Sequence, residues 1–138
     1  MKKIYLGMAL KGTPDWWNVS FQHDVRKALE VFTNYEVTKF VGLTGAEPLE
    51  IYQTDIKLAK SADLMVALTR FPSLGLGMEI QARVNDNKPT IVFHPRGQKL
   101  SGMVLGAPGV EVYYYDIAVE QDGPDQARQI VATLHTVL

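Results

Sequence analysis

Few side chains in this sequence can do chemistry, and a pair of carboxylates stands out among them. Glu79 follows Pro72-Ser73-Leu74-Gly75-Leu76-Gly77-Met78, where an apolar run breaks into a turn and a helical pattern resumes from about Met78. That places it in a helix first turn, where the helix field and free N–H groups stabilise the anion. Asp55 interrupts the apolar stripe of another helical pattern, between Ile51 and Leu58. An acid on a packed face is costly unless it is paired or used; the alternative is an edge acid that swings out to solvent. An ionised, positioned carboxylate can attack a sugar anomeric carbon through an oxocarbenium-like transition state. Glutamate also favours helix starts for stability alone, so spacing leaves both readings of Glu79 open. Tyr5 lies inside an apolar run, and its hydroxyl needs a partner.

Other chemistries drop out. Without cysteine there are no disulfides, thiol nucleophiles or thiolate metal sites. His23, His94 and His135 lack metal-ligand spacing, and His94 reads as a plain loop histidine at a strand end. Gly75-Leu76-Gly77-Met78-Glu79-Ile80 begins like a dinucleotide fingerprint, but Ile80 replaces the third glycine and the turn follows a third strand. No phosphate-loop Gly-Lys-Ser/Thr occurs, and Lys99-Leu100-Ser101-Gly102-Met103 is no nucleophile elbow.

The elements that must position these residues alternate between strand and helix. Ile4 to Leu10 reads as a first strand and its exit loop. Thr13 and Pro14 open a helix with the stripe Trp17, Phe21, Val25, Ala28 and Phe32. A second strand runs over 35–41 and a loop over 42–46. Pro48 starts a helix that reaches Ser61, with Ile51, Ile56, Leu58, Ala59 and Ala62 as its buried stripe. Leu64 to Leu68 is apolar without alternation, as a parallel strand covered on both faces reads. A third helix over 78–84, a strand over 90–94, a long loop over 95–109, a strand over 110–115 and a final helix capped by Asp122 complete the chain. The last helix carries the stripe Ala127, Ile130, Val131 and Leu134.

This alternation predicts an α/β, flavodoxin-like three-layer sandwich: one domain over 1–138, a five-stranded parallel sheet in the order 2-1-3-4-5 and helices on both faces. That order sets loops 7–15 and 70–77 facing each other across a crevice at the carboxyl edge. Apolar content of 46%, charged content of 21%, and 14 basic against 15 acidic residues describe a globular domain. They give no reason to expect a nucleic acid polymer or a membrane as partner. No apolar run approaches the roughly 18 residues of a membrane span, and Met1-Lys2-Lys3 leads into a strand without a signal-peptide core. The expectation is a cytoplasmic protein.

Tyr5, Tyr52-Gln53-Thr54-Asp55, Ser61-Ala62-Asp63-Leu64-Met65-Val66-Ala67 and Pro72-Ser73-Leu74-Gly75-Leu76-Gly77-Met78-Glu79 together resemble the nucleoside 2-deoxyribosyltransferase superfamily. The last segment, followed by Leu100-Ser101-Gly102-Met103-Val104-Leu105-Gly106-Ala107, is most similar to its 2'-deoxynucleoside 5'-phosphate N-hydrolase branch. The resemblance covers roughly residues 3 to 116 and implies the same flavodoxin-like fold. It implies cleavage of the N-glycosidic bond of a deoxynucleoside or deoxynucleotide, with Glu79 as nucleophile, Asp55 positioning it and handling a proton, and Tyr5 bonded to Glu79. Asp63 would cap the start of strand three. The glycine-rich turn with Gly75 and Gly77, Ser73, and a Ser101 reaching across a homodimer or higher homo-oligomer would hold the substrate, the serines at the 5'-phosphate. Met8, Ala9 and Leu10 depart from the branch, which has a serine in this loop, while Lys11 lies where it has a basic residue. Trp16-Trp17 also departs, lining a base pocket or belonging to the core. No cofactor is implied. A base-exchanging deoxyribosyltransferase, a non-catalytic nucleotide-binding module and an FMN carrier are the alternatives, the last lacking a Ser/Thr-rich phosphate cradle.

Overall fold

A computed structural model of the chain describes residues 1–38 and 45–138. Its five parallel strands are β1 (Lys3–Met8), β2 (Glu36–Thr38), β3 (Leu64–Leu68), β4 (Thr90–Pro95) and β5 (Val110–Tyr115). They lie in the order β2-β1-β3-β4-β5, as the alternation predicts. The part of the expected second strand over 39–41, and 42–44 of the expected loop, lie outside the described residues. Strand β3 is buried along its whole length, which is why it carries no polar alternation.

The helices are α1 (Gln22–Phe32), α2 (Pro48–Ser61), α3 (Leu74–Asn85), the short α4 (Gly102–Leu105) and α5 (Gly123–Val137). A π-helical stretch, Trp17–Phe21, runs directly into α1. Its wider turn brings Trp17, Phe21, Val25 and Leu29 onto the sheet at intervals of four, so Leu29 takes the buried place expected of Phe32, which is exposed. The expected Thr13 cap is not formed; its hydroxyl donates to Asn18 Oδ1 at 2.5 Å. Asp122 does cap α5, accepting from the N–H of Asp125.

Two apolar layers flank the sheet. Ile4, Leu6, Met8, Val66 and Phe93 meet α1 and α5 on one side. Tyr5, Met65, Ala67 and Val92 meet Ala59 of α2 and Leu76 and Ile80 of α3 on the other. Helices α2 and α3 therefore share the face that carries Tyr5. Of the stripe expected on α2, only Ala59 is fully buried within the helix. Asp63 fulfils its structural reading, accepting from the N–H of Lys3 at 2.7 Å and tying β1 to β3.

Candidate active site

Helix α3 starts earlier than the sequence pattern suggests. Ser73 is its N-cap, accepting from the N–H of Leu76 at 3.2 Å, and Leu74, Gly75 and Gly77 lie in the first turns despite the poor helix propensity of the two glycines. Glu79 is consequently in the second turn, and the first turn has no acid. The expected stabilisation by the helix field is corrected, because that field fades beyond the first turn.

Tertiary contacts govern Glu79 instead. The Tyr5 hydroxyl donates to Glu79 Oε2 in a short hydrogen bond between β1 and α3. Burial pushes the Glu79 pKa up to about 7, a rise that the tyrosine bond opposes and the neighbouring Asp55 charge reinforces. Burial, then the Glu79 charge, holds the Tyr5 phenol far above its ordinary range, so it remains a donor. Asp55 is partly buried on α2, and burial raises its pKa too. Three elements thus bring Tyr5, Asp55 and Glu79 to one place, as the carboxylate pair and the resemblance suggest. A carboxyl that titrates near neutrality can serve as nucleophile above its pKa and exchange a proton around it.

The remaining candidates divide across α3. Ser73, Gly77 and Ser101 line a groove of about 530 Å³ between α3 and the segment from Gln98 to Ala107. Tyr5, Asp55, Glu79, Gly75 and Lys11 do not line it. Ser101 caps α4 by accepting from the N–H of Met103, and Lys11 is exposed on the loop after β1. One copy of the chain therefore assembles the carboxylate site but does not bring Ser101 to it.

Loops 7–15 and 70–77 meet as expected, but aromatic contacts close them together. Trp17 is fully buried, stacks on Phe21, meets Phe71 edge-on at 4.9 Å and donates through Nε1 to the carbonyl of Ala9 at 2.9 Å. Of the two open readings for the tryptophans, Trp17 takes the core. Trp16 lies at the rim under the Arg70 guanidinium, which stands 5.0 Å from the ring centroid and pairs with Glu120. Met8 and Ala9 also point into packed surroundings.

The burial of two polar residues escaped the sequence reading. His94 ends the expected strand over 90–94 but is 3% exposed, with Nδ1 2.8 Å from Thr69 Oγ1, which corrects its reading as a plain loop histidine. Arg83 is buried and donates to the carbonyls of Ala59, Ala62, Asp63 and Pro89. Its place between Ile80 and Val84 was the available signal. Among the described residues no group of three His, Cys, Asp or Glu is arranged to hold a metal ion, and no helix is long and apolar enough to cross a membrane.

No protein-family model matches the chain. It is 31% identical over 112 residues to a protein of Thermofilum pendens provisionally named 2'-deoxynucleoside 5'-phosphate N-hydrolase 1, covering 75% of this chain and 77% of that protein. A protein of the same provisional name from Nematostella vectensis is 32% identical over 77 residues, 54% of this chain and 52% of its own length. Among solved structures, the Clostridium botulinum CMP N-glycosidase superposes with a TM-score of 0.70 at 18% identity over 99% of this chain and 100% of that one. A 2-deoxyribosyltransferase from Leishmania mexicana gives 0.56 at 16% identity over 83% of each chain. At such identities these two likenesses are likenesses of fold.

Proposed function

The chain belongs to the 2'-deoxynucleoside 5'-phosphate N-hydrolase family, and from that premise we propose that it is an enzyme cleaving the N-glycosidic bond of a 2'-deoxynucleoside 5'-monophosphate. The observation that carries this reading is the half-buried Glu79 carboxylate, held through one oxygen by Tyr5 with Asp55 alongside. The other oxygen of Glu79 attacks C1' of the sugar while the C1'–N bond breaks, and that electron pair leaves with the base. Asp55, its pKa raised by burial, gives the leaving base a proton. Water then attacks C1' and yields a proton to Asp55, and the bond from C1' to Glu79 breaks to regenerate the carboxylate. Water is consumed, and free base and a deoxyribose 5-phosphate are released. The residues require no cofactor for these steps.

The 5'-phosphate is assigned to Ser73, the backbone at Gly75 and Gly77, Lys11, and Ser101 of a second copy. Inward packing of Met8 and Ala9 leaves the first loop little else with which to hold an anion. Two charge-assisted hydrogen bonds of roughly 1.5–3 kcal/mol each correspond to a preference of about a hundredfold or more in kcat/KM. A panel of deoxynucleosides and their 5'-monophosphates, with and without an added free base, tests the reading. The monophosphates are expected to be cleaved about a hundredfold more efficiently. Equal rates with transfer to the added base identify a base-exchanging deoxyribosyltransferase, and binding without turnover identifies a non-catalytic nucleotide-binding module.

The role of Ser101 calls for a homodimer formed across the outer groove. Leu74 is 92% and Met103 83% exposed beside it, an unusual amount of apolar surface at one place. Glu79→Ala and Ser101→Asp proteins, each inactive alone, are expected to recover activity on mixing, since hybrid dimers contain one intact site. A protein that is fully active while strictly monomeric at assay concentration removes Ser101 from the site.

A further inference from the structure

Tyr5 and Glu79 belong to different elements, so their contact depends on how closely α3 approaches β1. Successive strand residues alternate between faces, which puts Gly7 on the same face of β1 as Tyr5. A Cβ at position 7 would lie 2.7 Å from Met65 Cε, 2.8 Å from Leu76 Cδ1 and 3.6 Å from Tyr5 Cε2. The first two separations are shorter than packed carbon atoms tolerate. Leu76 stands three residues before Glu79 on α3, so Gly7 touches the supports of both halves of the catalytic pair. Its own backbone is not the reason for glycine, since its φ is not among the positive values found at Gly12, Gly45, Gly97 and Gly109.

We propose that Gly7 is a positioning residue, whose missing side chain is the gap into which Leu76 closes α3 onto β1 and so brings Glu79 to Tyr5. The catalytic significance of this gap rests on the function proposed above; the geometry does not. Met65 can swing its terminal methyl aside, because three rotatable bonds carry it. Leu76 is 4% exposed, and only two rotatable bonds join its methyls to the α3 backbone, so it has less freedom to yield than Met65. Tyr5 lies at the same gap, with Cε2 at an ordinary contact distance of 3.6 Å from that Cβ.

The test uses the full chain as Gly7→Ala and as Gly7→Ala/Leu76→Ala, the second variant removing the α3 methyl that a side chain at position 7 would strike and leaving only the flexible end of Met65. The readout is the titration of the Glu79 carboxyl followed by carbon NMR, with wild type expected near 7. In Gly7→Ala the midpoint is expected to fall by about one pH unit as α3 lifts and water reaches the carboxyl, burial being the largest cause of the raised value and the loss of the Tyr5 bond offsetting only part of the fall. In the double variant it is expected to return to within about 0.3 unit of wild type. Nucleotide cleavage should follow, with kcat at least about tenfold lower in Gly7→Ala, KM within about threefold, and kcat largely restored in the double variant.

An unchanged midpoint in folded Gly7→Ala overturns the proposal, and is the result expected if Gly7 were needed only to let substrate approach the strand. So does a double variant whose midpoint stays displaced, since the displacement would then not run through Leu76. If Gly7→Ala does not fold, the double variant decides: a folded protein with the wild-type midpoint supports the gap, and an unfolded one overturns it. Because the titration needs no turnover, a wild-type protein that cleaves no nucleotide ends the functional reading without deciding this one.

Discussion

Glu79→Gln lowers turnover by at least about a thousandfold and leaves the fold intact. The amide keeps the shape of the side chain and still accepts the hydrogen bond from Tyr5, but it cannot form the bond to C1'. Retention of more than about a tenth of wild-type activity would show that another group attacks the sugar. The pH dependence should carry the same signature. Nucleophilic attack needs the carboxylate, and burial pushes the Glu79 pKa up to about 7. On this limb kcat/KM is therefore expected to fall about tenfold per unit below about pH 6 and to level off above about pH 8. Stability has the opposite sign. The folded pKa is raised above the ordinary glutamate value of 4.5, so the folded state holds the extra proton between the two values. Glu79 consequently destabilises the protein as pH rises through that window. Above about pH 8 Glu79→Gln should melt no lower than wild type, a result that separates a catalytic loss from an unfolded protein.

Arg83→Ala is expected to cost about 3–5 kcal/mol of folding stability, read from urea unfolding with activity measured on the folded fraction. The guanidinium serves the carbonyls of Ala59 and Ala62 at the end of α2, Asp63 before β3 and Pro89 before β4. Truncation leaves these four acceptors without their charged donor. Arg83→Lys should recover only part of the loss, because an ammonium cannot reproduce a planar fork of donors. A loss below about 1 kcal/mol would mean that these chain ends hold their positions without the arginine. Arg83 lies one turn beyond Glu79 on α3, so it fixes α3 against α2 near the point where Asp55 and Glu79 meet.

The fold was legible because its rules are local. Strands covered on both faces must be apolar throughout, as Leu64 to Leu68 is, and helices between them force the sheet to be parallel. The site was legible only in its residue types. Asp55 stood out as an acid in an apolar stripe and Glu79 as an acid at a helix start, but the place in the first turn assigned to Glu79 was wrong. Two glycines made the start of α3 look like loop, whereas the Ser73 cap and the packing of Leu76 and Ile80 outweigh their propensity. His94 was misread for a related reason: a polar residue at a strand end resembles a loop residue until neighbouring elements cover it.

By itself the sequence determined the alternation of elements, the order of the sheet and the set of groups able to act on a substrate. Those follow from periodicity and chemical type. Only the tertiary structure decided which groups meet and with what acidity. Glu79 and Arg83, opposite charges four residues apart on a helix, have the spacing of a solvent-facing ion pair. The folded chain turns both inward, Glu79 to a tyrosine on β1 and Arg83 to the carbonyls at the end of α2. The acidity of a carboxyl depends on the water and charges within a few ångströms of it, and in Glu79 those come from β1 and α2, which spacing along α3 cannot reveal.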